Sequence, residues 1–287
     1  MRTPPPATEG PLLAWLLESL QPMGRTSIKK LLRDGRIAVN GTATTQFDHL
    51  LQAGDRVTVM SSRPARAVTI LQAAGVTIVY EDDQLIAIDK PAGLLSVATE
   101  SEKTDTAFTR LKAYLETRQA GRPFVVHRLD RETSGLLLFA RSADTRDRLQ
   151  ANWDAVTKIY LAIVEGCPQP TEGVVRNFLT EGKDLRVRAS TGFRPGAKEA
   201  ISHYRVIATR GKYSRVEVRI ETGRKHQIRV HLAGLGCPII GDTGYGATTS
   251  PVQRLGLHAW RLAFEHPATG VRVDLESKLP EVLDRIA

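Results

Sequence analysis

The sequence predicts an α+β fold: a small N-terminal unit of helices and strands, then a larger mixed domain around a largely antiparallel sheet. Three observations carry that expectation. Short apolar runs recur down the chain, among them "VTIVY", "LIAIDK", "PFVVH", "LLLFA", "IYLAIVE", "SHYRVIA" and "SRVEVRIET". Helical spacing appears between them near 104–118, 143–154 and 225–234, without strict strand–helix alternation. A Ser, Pro and Arg stretch, "SSRPARAV" at 61–68, separates two periodic regions, and 287 residues at 41% hydrophobic suffice for a large core and a small one.

The elements of the first region follow in order. "MRTPPPATEG" is proline-rich, so residues 1–10 are expected to be a disordered N-terminus. Leu12, Leu13, Trp15, Leu16 and Leu20 then repeat at helical spacing. In "TSIKKLLRDG" Ile28, Leu31 and Leu32 mark a second helix, with Thr26 as its N-cap and Gly35 as its stop. "RIAVNGTATT" reads as a hairpin turning at Asn40-Gly41, and "GDRVTVM" as a further strand. Residues 11–60 therefore form one unit, 61–76 a linker, and 77–287 the larger domain.

Charge narrows the class of partner. A net charge of +9 favours a polyanion, nucleic acid ahead of an anionic membrane surface. Residues 1–68 hold nine Lys/Arg against five acids, and Arg25, Lys29, Lys30, Arg33 and Arg36 cluster on or beside the second helix, which points to RNA contact. No signal-peptide pattern opens the chain, and no apolar run approaches the roughly 20 residues that span a bilayer. A cytoplasmic protein without membrane partners is expected, with monomer as the default state. Cys167 and Cys237 have no Cys or His at ligand spacing, so buried reduced thiols are expected.

The chemistry concentrates in "HRLDRETSGLLLFA", residues 127–140. Asp130 lies between Arg128 and Arg131 just ahead of an apolar strand, which sets a carboxylate at the end of a sheet. An isolated Asp there would be a turn former or a cap. The arginines, His127 and Gly135 distinguish this one. Downstream, "TGRKHQIRVHLAGLG" adds Arg224, His226, Arg229 and His231. The two histidines are five apart, about 140° on a helix, so no metal is expected there. Phosphate contact suits Arg224 and ion pairing suits Arg229. The glycines of "GLGCPIIGDTGYG" miss dinucleotide spacing, and "ETSGL" lacks the framing of a nucleophilic serine.

Two resemblances extend this reading. From "LLAWLLESL" through "GRTSIKKLLRDGRIAVNG" to "LQAGDRVTV" the chain resembles an S4 RNA-binding domain. From about 77 to 267 it resembles the RluA-type RNA pseudouridine synthases, through "YEDDQLIAIDKPAGLLS", "HRLDRETSGLLLFA", "KIYLAIVEG", "TGRKHQIRVHLAGLGCPIIGDTGYG" and "LHAWRLAFEHP" in that order.

The resemblance implies a fold of pseudouridine synthase type and conversion of uridine to pseudouridine in structured RNA. It makes Asp130 the catalytic carboxylate, Tyr160 the ring under the flipped base, and Arg229 the ion-pair partner of Asp130. Arg128 enters the RNA stack, Ile228 lines the uracil pocket, and Leu136, His127 and Arg224 complete the binding set. The reaction neither gains nor loses atoms, so no cofactor or metal is expected. Ribosomal RNA is expected ahead of transfer RNA. A non-catalytic RNA-binding protein and a glycosidase that releases free uracil stay open as alternatives.

Overall fold

The structure, a computed structural model, describes residues 6, 9–33, 36–40, 42–44, 46–59, 70–71, 76–100 and 102–287. Most of the expected disordered N-terminus, Gly35, Gly41 and most of the expected linker lie outside these residues. The chain divides into two compact units, Met1–Ala67 and Val68–Ala287.

The first unit runs β1 (Gly10–Pro11), α1 (Leu12–Ser19), α2 (Arg25–Arg33), β2 (Ile37–Val39), β3 (Thr42–Thr44), β4 (Leu50–Leu51) and β5 (Val57–Val59). Strand β2 is the middle of an antiparallel three-stranded sheet, and β1 pairs with β4. Leu12 and Leu16 of α1 and Ile28 and Leu32 of α2 bury their side chains with Ile37, Leu51 and Val57, the packing that the leucine spacing dictates. Thr26 is not the N-cap. Ile28 N–H donates to the Gly24 carbonyl, so the cap is Gly24, and Thr26 lies inside α2. Asn40 takes the left-handed turn position at φ 51°, and its side chain ties the turn to Asp55 and Arg56.

The second unit holds one twelve-stranded sheet. It begins with β6 (Ile70–Leu71), β7 (Val76–Glu81), β8 (Leu85–Lys90), α3 (Ala107–Thr117), β9 (Phe124–Val125), β10 (Ser134–Ala140) and α4 (Ala143–Ala151). It continues with β11 (Thr157–Glu165), β12 (Glu172–Glu181), β13 (Val187–Ser190), β14 (Lys198–Arg210), β15 (Tyr213–Ile220), α5 (Gln227–Gly234), β16 (Leu257–Glu265), β17 (Arg272–Glu276) and α6 (Glu281–Asp284). The order is β13-β12-β14-β15-β11-β16-β10-β8-β7-β6, with β17 on β16 and β9 on β10. Among the strands of the described residues, only the β10–β16 pair is parallel. Ile70–Leu71, expected in the linker, pair with β7 instead.

Strand β10 explains its own sequence. Every residue of "SGLLLFA" is buried, because α3 covers one face and α4 the other. Leu137 and Phe139 point to the first core, Leu136, Leu138 and Ala140 to the second. A third core joins α5 to β11, β15 and β16. Cys237 is buried and Cys167 only half-buried, which corrects the expectation for the latter. No helix among the described residues is long and apolar enough to cross a membrane.

Candidate active site

Asp130 lies in the turn that feeds β10, and backbone bonds from an unrelated segment hold that turn. Ser96 Oγ donates to the Leu129 carbonyl at 2.7 Å and accepts the Leu129 N–H at 2.9 Å. The Arg131 carbonyl accepts from Gly93 N–H at 2.9 Å and from Lys90 Nζ at 3.0 Å. Lys90 is wholly buried and spends its other donors on the carbonyls of Pro91 and Leu94. Burial lowers its pKa to about 8, against the pull of Glu132 and Asp130. Neither Lys90 nor Ser96 was expected at the site; the one available signal was a lysine closing the apolar run "LIAIDK".

Gly135 fixes where the turn meets the sheet. Its φ is +109°, and a Cβ there would stand 2.3 Å from the Ala259 carbonyl oxygen, its register partner on β16. No side chain fits that approach. Beside it, Ser134 Oγ bonds the buried His258 through Nδ1 at 2.8 Å and accepts from the half-buried Arg254 at 2.7 Å, and none of the three lines the cleft.

Tyr160 comes from β11. Opposite β16, Ile159 pairs with Arg261 but Tyr160 with Ala259, a bulge that skips Trp260. Bulges re-aim side chains, and here the ring lines the cleft beside Asp130. Burial pushes its phenol pKa up, and the charge of Asp130 adds to that.

The third contribution is α5. Arg229 donates through Nε and Nη2 to the two carboxylate oxygens of Asp242, each at 2.7 Å. Its guanidinium also lies 4.9 Å from the centre of the Tyr245 ring. The expected Arg229–Asp130 pair is therefore not formed. Asp242, in the turn after α5 and 1% exposed, offers a fork at closer range and is the only acid between residues 222 and 246. Among the described residues, the one basic side chain within 4 Å of the Asp130 carboxylate is His226, with Nε2 at 3.9 Å. Among the described residues no hydrogen bond reaches that carboxylate, which is 32% exposed.

The remaining expected residues divide. An open cleft of about 840 Å³ is lined by Asp130, Arg128, Tyr160, Arg224, Arg229, His127 and Leu136. An adjoining recess of about 80 Å³ adds Ile228 to Asp130, Tyr160 and Arg229. Arg128 is exposed, and Arg224 is exposed with Nε on the Glu199 carbonyl. His127 is engaged elsewhere: its Nε2 accepts the Leu138 N–H at 3.0 Å, its ring stacks on Trp153, and burial with Lys158 nearby drives its pKa down to about 3. It is a neutral brace of the turn. His231 points away from His226, to Ser202 and Asn177. No three His, Cys, Asp or Glu side chains gather to hold a metal among the described residues. In the first unit Arg25, Lys29 and Lys30 are exposed on α2 and Arg36 is half-buried; the Arg33 side chain lies outside the described residues.

Chemically, the cleft offers a half-exposed carboxylate without hydrogen-bond partners, a stacking ring, cations at the rim and apolar walls. That set suits nucleophilic or basic attack on a bound polyanion.

Residues 84–234 match the RNA pseudouridylate synthase family. The chain is 33% identical over 274 residues to ribosomal large subunit pseudouridine synthase D of Pseudomonas aeruginosa, covering 90% of this chain and 84% of that protein. It is 34% identical over 265 residues to an uncharacterized RNA pseudouridine synthase of Bacillus subtilis, covering 90% and 86% of the two. The solved structure of human RNA pseudouridylate synthase domain containing 4 aligns at a TM-score of 0.60 and 28% identity, over 72% of this chain and 90% of that one.

Proposed function

The chain belongs to the RNA pseudouridylate synthase family, and we propose that it isomerises specific uridines of ribosomal RNA with Asp130 as the reacting carboxylate. The observation that carries the assignment is the Asp130 carboxylate, half-exposed in the cleft beside Tyr160 and Arg229 with no hydrogen bond spent on it. In the reaction the N1–C1′ bond breaks, the uracil turns while held, and C5 bonds to C1′. The C5 proton leaves and N1 gains one, so composition is unchanged and the reaction as written needs no cofactor. Asp130 acts on the ribose, as nucleophile at the sugar carbon or as base.

The other residues have supporting parts. Uridine must leave its stack at a cost of a few kcal/mol, offset by Arg128 entering the gap and Tyr160 stacking on the base. Ile228 and Leu136 keep water from the detached uracil. Arg224 contacts phosphate, and Arg229, held by Asp242, supplies positive potential near Asp130. The first unit is an S4-type RNA-binding domain whose exposed Arg25, Lys29 and Lys30 reach phosphates, and changing Lys29 and Lys30 to Glu lowers the salt slope of RNA binding by about two.

Ribosomal RNA as target is supported by the names of relatives such as the Pseudomonas enzyme. A cytoplasmic monomer fits that target. The test is pseudouridine mapping of total RNA, by carbodiimide modification and primer extension, in cells with and without the gene. Loss of signal at ribosomal uridines, restored by the wild-type chain but not by Asp130→Asn, is the expected result. Loss confined to transfer RNA moves the target; no loss anywhere sets the assignment aside.

A further inference from the structure

His226 stands at a strained place. It precedes α5 with φ 54° and ψ 16°, left-handed backbone that a residue with a side chain adopts only when its surroundings require it. Its ring is pinned: Nδ1 lies 2.8 Å from the Tyr245 hydroxyl. That hydroxyl oxygen already accepts the Val187 N–H at 3.1 Å. With the phenol proton directed at Nδ1, the Val187 N–H, the hydroxyl and Nδ1 are all satisfied at once, and the imidazole proton is left on Nε2. Nε2 is the atom that faces the Asp130 carboxylate, at 3.9 Å.

We propose that His226 is a positioning residue for the reaction: its Nε2–H, its tautomer set by Tyr245, holds the Asp130 carboxylate in its reactive orientation. The inference rests on the assignment of Asp130 as the reacting group. A gap of 3.9 Å is not yet a hydrogen bond; catalytic bonds in unliganded sites are often long and close toward about 2.9 Å when substrate seals the pocket. The surroundings keep the ring neutral. Burial lowers its pKa first; Asp130 opposes this, Arg229 and Lys225 reinforce it, and Asp242 opposes it weakly. Lys225 is itself paired with Glu181. A neutral donor serves Asp130 well, because it orients the carboxylate without neutralising it by proton transfer.

A backbone role for His226 predicts a different ranking of substitutions. Glycine and asparagine accept left-handed backbone best, whereas glutamine tolerates it poorly but carries an amide N–H near the place of Nε2. The experiment measures kcat, KM and melting temperature for the full chain and its His226→Gly, His226→Asn, His226→Gln and Tyr245→Phe variants. The substrate is ribosomal RNA purified from cells lacking the gene. Positioning predicts a kcat loss of roughly ten- to a hundredfold in the Gly and Asn variants with KM unchanged, partial recovery with Gln, and an intermediate loss in Tyr245→Phe. Gly or Asn variants turning over like wild type, or Gln the worst of the three, overturn the inference. If Gln does not fold, Tyr245→Phe decides: full kcat there overturns it as well. A wild-type chain inactive on this RNA, and on transfer RNA from the same cells, fails the underlying assignment instead.

Discussion

Two carboxylates flank Arg229 and are treated in opposite ways. Asp242 is 1% exposed, and both its oxygens are taken by the guanidinium at 2.7 Å. Asp130 is 32% exposed and among the described residues no hydrogen bond reaches its carboxylate, although the backbone of its turn is tied down by Lys90, Gly93 and Ser96. On the proposed assignment, the difference separates holding from reacting. A saturated carboxylate fixes a cation; one with a rigid backbone and unspent lone pairs is free to meet a substrate.

Removing the free carboxylate probes the contrast most severely. Asp130→Asn is expected to lower pseudouridine formation by at least about 10⁴-fold while the melting temperature stays within a degree or two. A variant that keeps substantial turnover breaks the distinction between the two acids.

Removing the saturated one reverses the pattern. Asp242→Ala leaves the half-buried Arg229 without its partner, and a loss of about 3 kcal/mol in urea unfolding is expected, the low end for a buried pair. Stability close to wild type would mean that Arg229 finds Asp130 instead.

Both sides contribute acid sensitivity to folding, through His127 at the turn and His231 on α5. His231, 2% exposed and bonded to Ser202 and Asn177, has its pKa lowered by burial to about 4. In the unfolded chain it protonates near 6.5, so the unfolded state takes up the proton first. Its contribution is complete above about pH 6.5 and is lost as pH falls toward 4. Replacing it with Gln should shrink the drop in unfolding free energy between pH 7 and 4 by on the order of 3 kcal/mol. An unchanged drop places the sensitivity elsewhere.

The smallest expected effect tests the rigid turn. Gly135→Ala sets a methyl against the Ala259 carbonyl at a positive φ, for a loss of about 1–3 kcal/mol together with reduced turnover. Loss of stability with full activity would show that the turn need not be rigid.

Much of this was legible from residue order. Leucine spacing in the first unit and the apolar run of β10 are patterns of period 3.6 and of burial on both faces, and local physics enforces them. The segments that meet at the cleft were also legible, because Asp130, Tyr160 and Arg229 each sit in a distinctive motif. Thr26 was misread as a cap because a side chain able to cap is visible in sequence, whereas the capping carbonyl of Gly24 is not. The family resemblance implies a binding role for His127, whereas its bond to Leu138, visible only in the fold, adds a bracing one.

By itself, then, the sequence determined the division into a small and a large unit, the basic character and the presence of a carboxylate flanked by arginines. Tertiary structure alone decided which acid takes Arg229, that Lys90 is buried under the Asp130 turn, and that Nε2 of His226 is the ring nitrogen facing Asp130. Ion pairing and ring orientation depend on through-space distance and desolvation between groups far apart in the chain. Asp242 prevails over Asp130 because its fork lies 2.7 Å from the guanidinium, a distance that only the fold sets.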